Sequence, residues 1–409
     1  MKKTLYISIF FSILPSILCF RSDLIAQTTT LDRALHLSGF EQIKSQKSNR
    51  QLFIQAENRT YNSDAEALYV MLKRMNEGVV KADSLQIFMT HHQQVIMHVA
   101  TDAELLKQLF EGEISYTSWL QHTSVALNPS PVFSRNQTRS KISSLNKYSP
   151  LIELGYDFRY QLGNYNNHLR VGLDANPVLI QQLPLGFQIN AGLNIPLYND
   201  LDKNRYLRMQ QLTLTHQKVL RKGLYAGTAA GFFSRNRAGI HTKIVQYLWD
   251  EIISLSFQTG YTVFTPLTGK VDDSFAEEKP FMVYTGAAEY RWRAYDLDIR
   301  LEYGQFLYHD SGLHVDVQRR FGETVIGLFA LKTRLGSNYG FHVSIPLFPS
   351  KGTLVSGIRL RSASHLPVTY RYEGNDLIGR MYETGLDLQF RMKQVYPSYL
   401  MKQLETFFQ

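Results

Sequence analysis

The residues with the means to do chemistry in this sequence are three neighbouring histidines, one cysteine and a charged stretch between positions 289 and 320. His91, His92 and His98 lie close together along the chain. Paired imidazoles can hold a metal, but adjacent residues on an extended strand point to opposite faces and chelate poorly. They are therefore expected to be turn and surface histidines, with no metal site. The His-Glu-x-x-His spacing that brings two imidazoles to one helix face is missing. So are the Gly-x-Ser-x-Gly turn that presents a nucleophilic serine and the glycine-rich loop that cradles phosphates. No nucleophile–base pair stands out and no cofactor is implied, so the expectation is a protein that is not an enzyme. The charged stretch has a different pattern. Glu289, Arg291 and Arg293 alternate on one segment, Asp298, Arg300 and Glu302 on the next, and His314, Asp316 and Arg320 on a third. On adjacent strands such charges pair across the ladder. The set reads first as internal bracing, and second as a charged path for a hydrated solute or glycan.

The elements that must carry these residues begin with an export signal. Lys2 and Lys3 precede an apolar run over residues 5–20, followed by a plausible cleavage point after Ala26. That is the layout of a secretory leader over residues 1–26; the run is interrupted by Pro15 and is shorter than the roughly 20 residues of a membrane anchor. Cys19 lies inside it, behind a Leu18 too bulky for a usual lipid-attachment site. Removal of the leader leaves a chain without cysteine, which excludes disulfides, thiol catalysis and cysteine zinc sites. The net charge of +9 is spread along the chain and mixed with acids, so nucleic acid is not an expected partner.

Residues 27–126 read as a soluble α/β domain. Ser63 with Glu66 and Thr101 with Glu104 form two capping boxes, and Gly78 and Gly112 are placed to end the helices that follow. Strand-like runs at 51–55, 85–90 and 95–99 give the order β-α-β-β-α. A linker rich in Ser, Asn and Pro occupies 127–148. From 149 to 392 nearly every segment alternates. Tyr156, Phe158 and Tyr160 oppose Asp157, Arg159 and Gln161; Leu297, Ile299 and Leu301 oppose Asp298, Arg300 and Glu302. Period two marks strands between unlike environments. Aromatic residues make up 12% of the chain while mean hydropathy stays at −0.21. Together these predict a mainly β protein: an antiparallel up-and-down transmembrane barrel of about 12–14 strands behind a small α/β domain. An even strand number would put both barrel ends, and hence that domain, in the periplasm of a Gram-negative bacterium. Residues 383–390 read as a last strand bearing an assembly-machinery signal, and 393–409 as a helical tail.

Several stretches resemble the YjbH-like family of exopolysaccharide-associated outer-membrane proteins. They are Phe40-Glu41, the run Gln55-Ala56-Glu57-Asn58-Arg59-Thr60-Tyr61, the run 320–329, the run 340–347 (GFHVSIPL) and Gly357-Ile358-Arg359-Leu360. The segment His365-Leu366-Pro367-Val368-Thr369-Tyr370 departs from the more polar Thr-Arg-Asp-Gly-like pattern expected there. The resemblance implies a role in producing or exporting a surface polysaccharide. The partners expected with it are outer-membrane lipids, the barrel-assembly machinery, an acidic polysaccharide and other export components. The alternatives are a general porin or small-solute channel and an outer-membrane lipid-modifying enzyme.

Overall fold

The computed structural model describes residues 30–48, 50–77, 82–127, 143–145, 148–162, 169–201, 206–249, 251–266, 279–372 and 377–409. The leader with Cys19, Gly78, and most of the 127–148 segment lie outside the described residues.

The N-terminal domain contains the β-α-β-β-α order read from the sequence, with a further helix and strand before it and after it. Helix α1 (Thr30–Leu37) precedes β1 (Phe40–Ser48) and β2 (Gln51–Asn58); then come α2 (Asp64–Glu77), β3 (Ser84–His91), β4 (Gln94–Asp102), α3 (Ala103–Glu111), α4 (Tyr116–Gln121) and β5 (Ser124–Leu127). Strands β2 and β3 are parallel across α2, and the remaining pairings among these strands are antiparallel. A short strand, β6 (Ser143–Leu145), completes the sheet by pairing with β1 inside the segment expected to be linker. The Ser63 hydroxyl accepts from the Glu66 N–H at 3.5 Å, as the first capping box requires. The second box is displaced by one residue: Asp102, not Thr101, accepts from the N–H groups of Glu104 and Leu105. A carboxylate at that position satisfies two free donors and faces the positive helix end, so it outcompetes the hydroxyl. Gly112 closes α3 at φ 77, a backbone conformation that favours glycine.

Twelve long strands follow in an antiparallel meander, each hydrogen-bonded to the next. They are β7 (Leu151–Leu162), β8 (Leu169–Gln182), β9 (Phe187–Asn199), β10 (Arg208–Arg221), β11 (Leu224–Phe233), β12 (Arg237–Leu248), β13 (Ile253–Phe264), β14 (Phe281–Trp292), β15 (Leu297–Gln305), β16 (Ser311–Phe321), β17 (Thr324–Thr333) and β18 (Gly336–Pro346). After them come β19 (Thr353–Val355), β20 (Ile358–Ser362) and β21 (His365–Arg371). The departing segment His365–Arg371 is thus a strand, antiparallel to β18 with Pro367 opposite Ser344. Only two residues, Ala363 and Ser364, separate β20 from β21. Yet β20 pairs in parallel with β7, while β21 pairs with β18 at the other end of the sheet order.

The faces of this sheet are inverted relative to a water-soluble protein. On β14, Glu289 and Arg291 are 4% and 3% exposed, whereas Tyr290 and Trp292 between and beside them are 44% and 46% exposed. On β15, Asp298 is buried and Tyr303 is 67% exposed. Gln188 and Asn190 of β9 are buried while Phe187 and Ile195 face outward. A soluble sandwich puts apolar side chains inside and exposes the polar ones; a band of exposed large apolar residues over buried carboxylates and amides is the opposite arrangement.

The chain beyond β21 corrects two expectations. Residues 383–390 are not a strand, and among the described residues strand structure ends at Arg371 rather than 392. Residues 377–387 cross the polar face of the sheet and enter α5 (Leu388–Gln394) and α6 (Pro397–Glu405). The alternation in Glu383-Thr384-Gly385-Leu386-Asp387 is broken physically at Gly385, whose φ of 77 turns the backbone out of the extended region. The assembly signal read there therefore has no strand to sit on.

Candidate functional site

The C-terminal segment passes along the polar face from one end of the strands to the other. At the far end Ile378 packs against Phe329 and Leu331, and the Gly379 N–H donates to Asp310 at 2.7 Å. Midway, Tyr382 stacks on Phe233 at 5.1 Å between centroids, and its hydroxyl lies 3.1 Å from His241 Nδ1. Gly260 makes room for that hydroxyl: a Cβ there would stand 1.8 Å from it. At the near end Lys393 Nζ meets Glu289 at 2.5 Å, and Tyr399 donates to the Gly322 carbonyl. Helix α6 then docks on the N-terminal domain. Leu400 and Leu404 are fully buried in the cluster that contains Leu68, Leu72 and Trp119, and Tyr116 donates to the Met401 carbonyl at 2.7 Å. Phe407 stacks on Tyr69, and Phe408 packs on Tyr69 and Phe110.

The N-terminal domain reaches the sheet through residues that carried the family resemblance. Arg359 of β20 pairs with Glu41 at 3.1 Å, and Arg59 stands 3.4 Å from the same carboxylate; all three are almost wholly buried. Arg359 also donates to the Thr60 hydroxyl, and Arg361 to the Tyr61 carbonyl and to Glu153. Glu57 accepts from Gln182 of β8, and Gln42 donates to Gln182 at 2.8 Å. Burial pushes the Glu41 carboxyl up, against the pull of Arg59 and Arg359. Phe40-Glu41, the 55–61 run and 357–360 thus meet at one junction.

Between the junction, the crossing segment and the polar face lies a cavity of about 470 Å³. Its lining is mixed: Gln182, Gln188, Asn190, Gln210, Gln211 and Gln258 supply amides, Glu153, Arg361, Glu383, Asp387 and Arg391 supply charge, and Leu151, Val178, Ile180, Met381 and Leu386 supply apolar surface. Tyr382 and Phe390 add aromatic surface. The size is that of a small-molecule pocket. Donors and acceptors of both kinds, with one or two aromatic faces, suit a polyhydroxylated ligand better than an apolar one.

His91 also lines this cavity. It and His92 share one carboxylate: His91 Nε2 lies 3.0 Å from Asp387 Oδ2, and His92 Nε2 lies 2.9 Å from Asp387 Oδ1. The expectation that adjacent histidines face apart fails here. His92 and Gln93 have φ of 49 and 62, so the pair occupies a tight turn rather than a flat strand, and the imidazoles come to one side. His98 sits apart from this pair on β4, partly buried, stacked on Phe88 and 2.7 Å from Gln86. Burial pulls the His91 pKa down, opposed by Asp387. Burial pushes the Asp387 carboxyl up, but His91 and His92 overcome it and hold it well below the usual carboxylate range.

The charged candidates from the sequence are mostly on the polar face, and they brace it. Register places Glu289 opposite Arg300, Arg291 opposite Asp298 and Glu302 opposite His314. Arg300 reaches Glu302 at 3.1 Å and Glu289 at 3.9 Å, Arg320 reaches Asp298 at 3.7 Å, and Asp316 pairs with His342 at 2.8 Å. Several of them also grip the crossing segment. The Arg291 and Arg320 guanidinium groups lie over the rings of Tyr396 and Tyr399 at 4.3 and 4.6 Å. Arg293 does not join them; it sits in the 3₁₀ turn Arg293–Tyr295, past the end of β14. The alternation suggested one more inward residue than the strand has length for. Sequence reasoning missed Asp387, Lys393 and Gln217 as site residues, because each acts through partners more than a hundred positions away.

Residues 203–348 match the family described as exopolysaccharide biosynthesis protein YbjH. This part of the chain is YjbH-like. The YjbH-like segment takes in the resembling runs 320–329 and 340–347, but not those at the domain junction. None of the curated proteins matches the chain. Among solved structures, variants of the porin of Rhodopseudomonas blastica align with it: one at 14% identity and a TM-score of 0.28, another at 13% and 0.28, each over 54% of this chain and 100% of the porin. At that TM-score the likeness carries no argument about this chain. No helix among the described residues is long and apolar enough to cross a membrane, which says nothing about strands.

Proposed function

We propose that the protein is a non-catalytic outer-membrane component of exopolysaccharide production or export, and that its sheet closes into a barrel with the N-terminal domain in the periplasm. The inverted faces carry the membrane reading: a lipid-facing apolar band around a polar interior is the pattern of transmembrane barrels. Closure is supported by β20 and β21, one bent segment whose halves pair with β7 and β18. Counted this way the wall has thirteen passes, β7 to β18 plus β20–β21. The odd number replaces the even one expected, and it places the end of β21 opposite the N-terminal domain. That domain sits beside short turns such as the ones at Lys222–Gly223 and Gly322–Glu323, while Phe264, where β13 ends, and Phe281, where β14 begins, are at the other end with a longer stretch of sequence between them. Short periplasmic turns and longer outer loops fit this orientation.

The YjbH-like segment carries the link to exopolysaccharide, and the amide-rich cavity supplies a place where a glycan segment would be held. Residues 377–394 fill much of the polar interior, which weighs against a freely open porin. Deleting the gene should reduce surface polysaccharide while cells stay viable. In a complemented strain, Gln210→Ala with Gln258→Ala should reduce it too, without loss of the heat-shifted folded band on gels. Normal surface polysaccharide in the deletion strain, grown where the gene is expressed, would overturn this reading.

A further inference from the structure

His91, His92 and Asp387 bring two imidazole nitrogens and a carboxylate within 4.8 Å of one another. We propose that they bind a divalent transition metal of zinc's class, which fastens the C-terminal segment to the N-terminal domain. Tetrahedral zinc holds nitrogen and carboxylate ligands at about 2.0–2.2 Å, which sets ligand atoms roughly 3.3 Å apart. The two nitrogen–oxygen separations here, 3.0 and 2.9 Å, run to different oxygens of the one carboxylate, and all the ligand atoms lie within 4.8 Å of one another, so binding draws the two imidazoles together about one ion. The fourth position faces the cavity that His91 and Asp387 line, which gives both a way in and room for water.

A hydrogen-bonded cluster alone leaves this geometry frustrated. Gln217 Nε2 lies 2.9 Å from both His92 Nε2 and Asp387 Oδ1, and those two atoms are themselves 2.9 Å apart. In any tautomer or amide orientation, one edge of that triangle sets two donors or two acceptors against each other. A cation bound by His92 and Asp387 removes the conflict and leaves the Gln217 amide as an outer partner of the carboxylate. Such outer partners orient metal ligands. The cavity beside the cluster mixes charges, with Arg361 and Arg391 facing Glu153 and Glu383, and Asp64 stands 4.0 Å from the Arg391 guanidinium.

The inference is independent of the polysaccharide reading, since metal binding is measured on the purified protein. The full chain, carrying an affinity tag without histidine and folded in detergent, is titrated with zinc chloride, freed of unbound metal and assayed for zinc content. Roughly one tightly held zinc per chain is expected, with nitrogen and oxygen ligands near 2.0 Å by X-ray absorption. Asp387→Ala, and His91→Ala with His92→Ala, should each weaken binding at least tenfold, and His98→Ala should not. Asp387→Asn keeps a hydrogen-bonding side chain in case the alanine variant misfolds; it should also lose at least tenfold. A wild-type protein that retains no zinc, or an Asp387→Asn protein that retains as much as wild type, would overturn the assignment.

Discussion

Leu400→Ala tests whether the C-terminal segment is held in place by its docking on the N-terminal domain. Leu400 is 0% exposed, as is Leu404 one turn on, in a cluster with Leu72, Leu106 and Trp119. Truncating a fully buried leucine costs about 2–5 kcal/mol, the transfer term plus the cavity left behind. Taking ~3 kcal/mol, the undocked population rises roughly a hundredfold. Trypsin reads this directly, because Arg391 and Lys393 of α5 are only 11% and 15% exposed at their side chains and are cut only when the helix releases. Where opening is fast relative to cleavage, the rate follows the open population. Cleavage at these two sites should therefore accelerate by about two orders of magnitude, while the heat-shifted band shows the strands intact. Leu400→Met, which nearly conserves volume, should change the rate by about tenfold or less. Unchanged cleavage in a folded Leu400→Ala protein would show that α6 docking does not hold the segment and that contacts along the sheet suffice.

Two other outcomes follow from the same geometry. Arg359→Ala leaves the buried Glu41 with Arg59 alone, and should destabilise the junction by an amount near the lower end of the ~3–5 kcal/mol typical of a broken buried pair; denaturant titration of the full chain measures it, and a shift under about 0.5 kcal/mol would contradict the pairing. Leu301→Arg, on the outward face of β15, should impair membrane assembly by roughly 2–4 kcal/mol if it lies near the midplane, with Leu301→Phe tolerated. Normal assembly of the arginine variant would mean the outward face does not meet lipid. Arg300→Ala is no mild control, because it strips a partner from both Glu289 and Glu302.

Strands were legible wherever one face differs from the other. The alternation through Leu297, Ile299 and Leu301 against Asp298, Arg300 and Glu302 gave both the element and its inward face, and the charge pairs came with the register. Of the four helices in the N-terminal domain, α2 and α3 were legible from their capping residues and, for α3, from Gly112, while α1 and α4 were not read. Residues 383–390 were not, because they alternate as well as a strand does, and their path is decided by partners such as Ser234 and Gln217 that no local pattern names. The histidine pair misled for a related reason: two positive φ angles in a tight turn reverse the rule that neighbours diverge. Arg293 shows the limit of counting by twos, since periodicity does not say where a strand stops.

The thirteenth pass has a consequence for the order in which the molecule is made. In the proposed barrel, the strand that seals the wall, β20–β21, is followed by the very residues that occupy its interior. Two helices and the aromatic rings of Phe407 and Phe408 would have to be threaded lengthwise through a finished ring if the seal formed first. It is simpler for α6 to seat on the already folded N-terminal domain while the wall is still an open sheet. The last strand then swings shut around a core that is in place, and sealing and filling become one event.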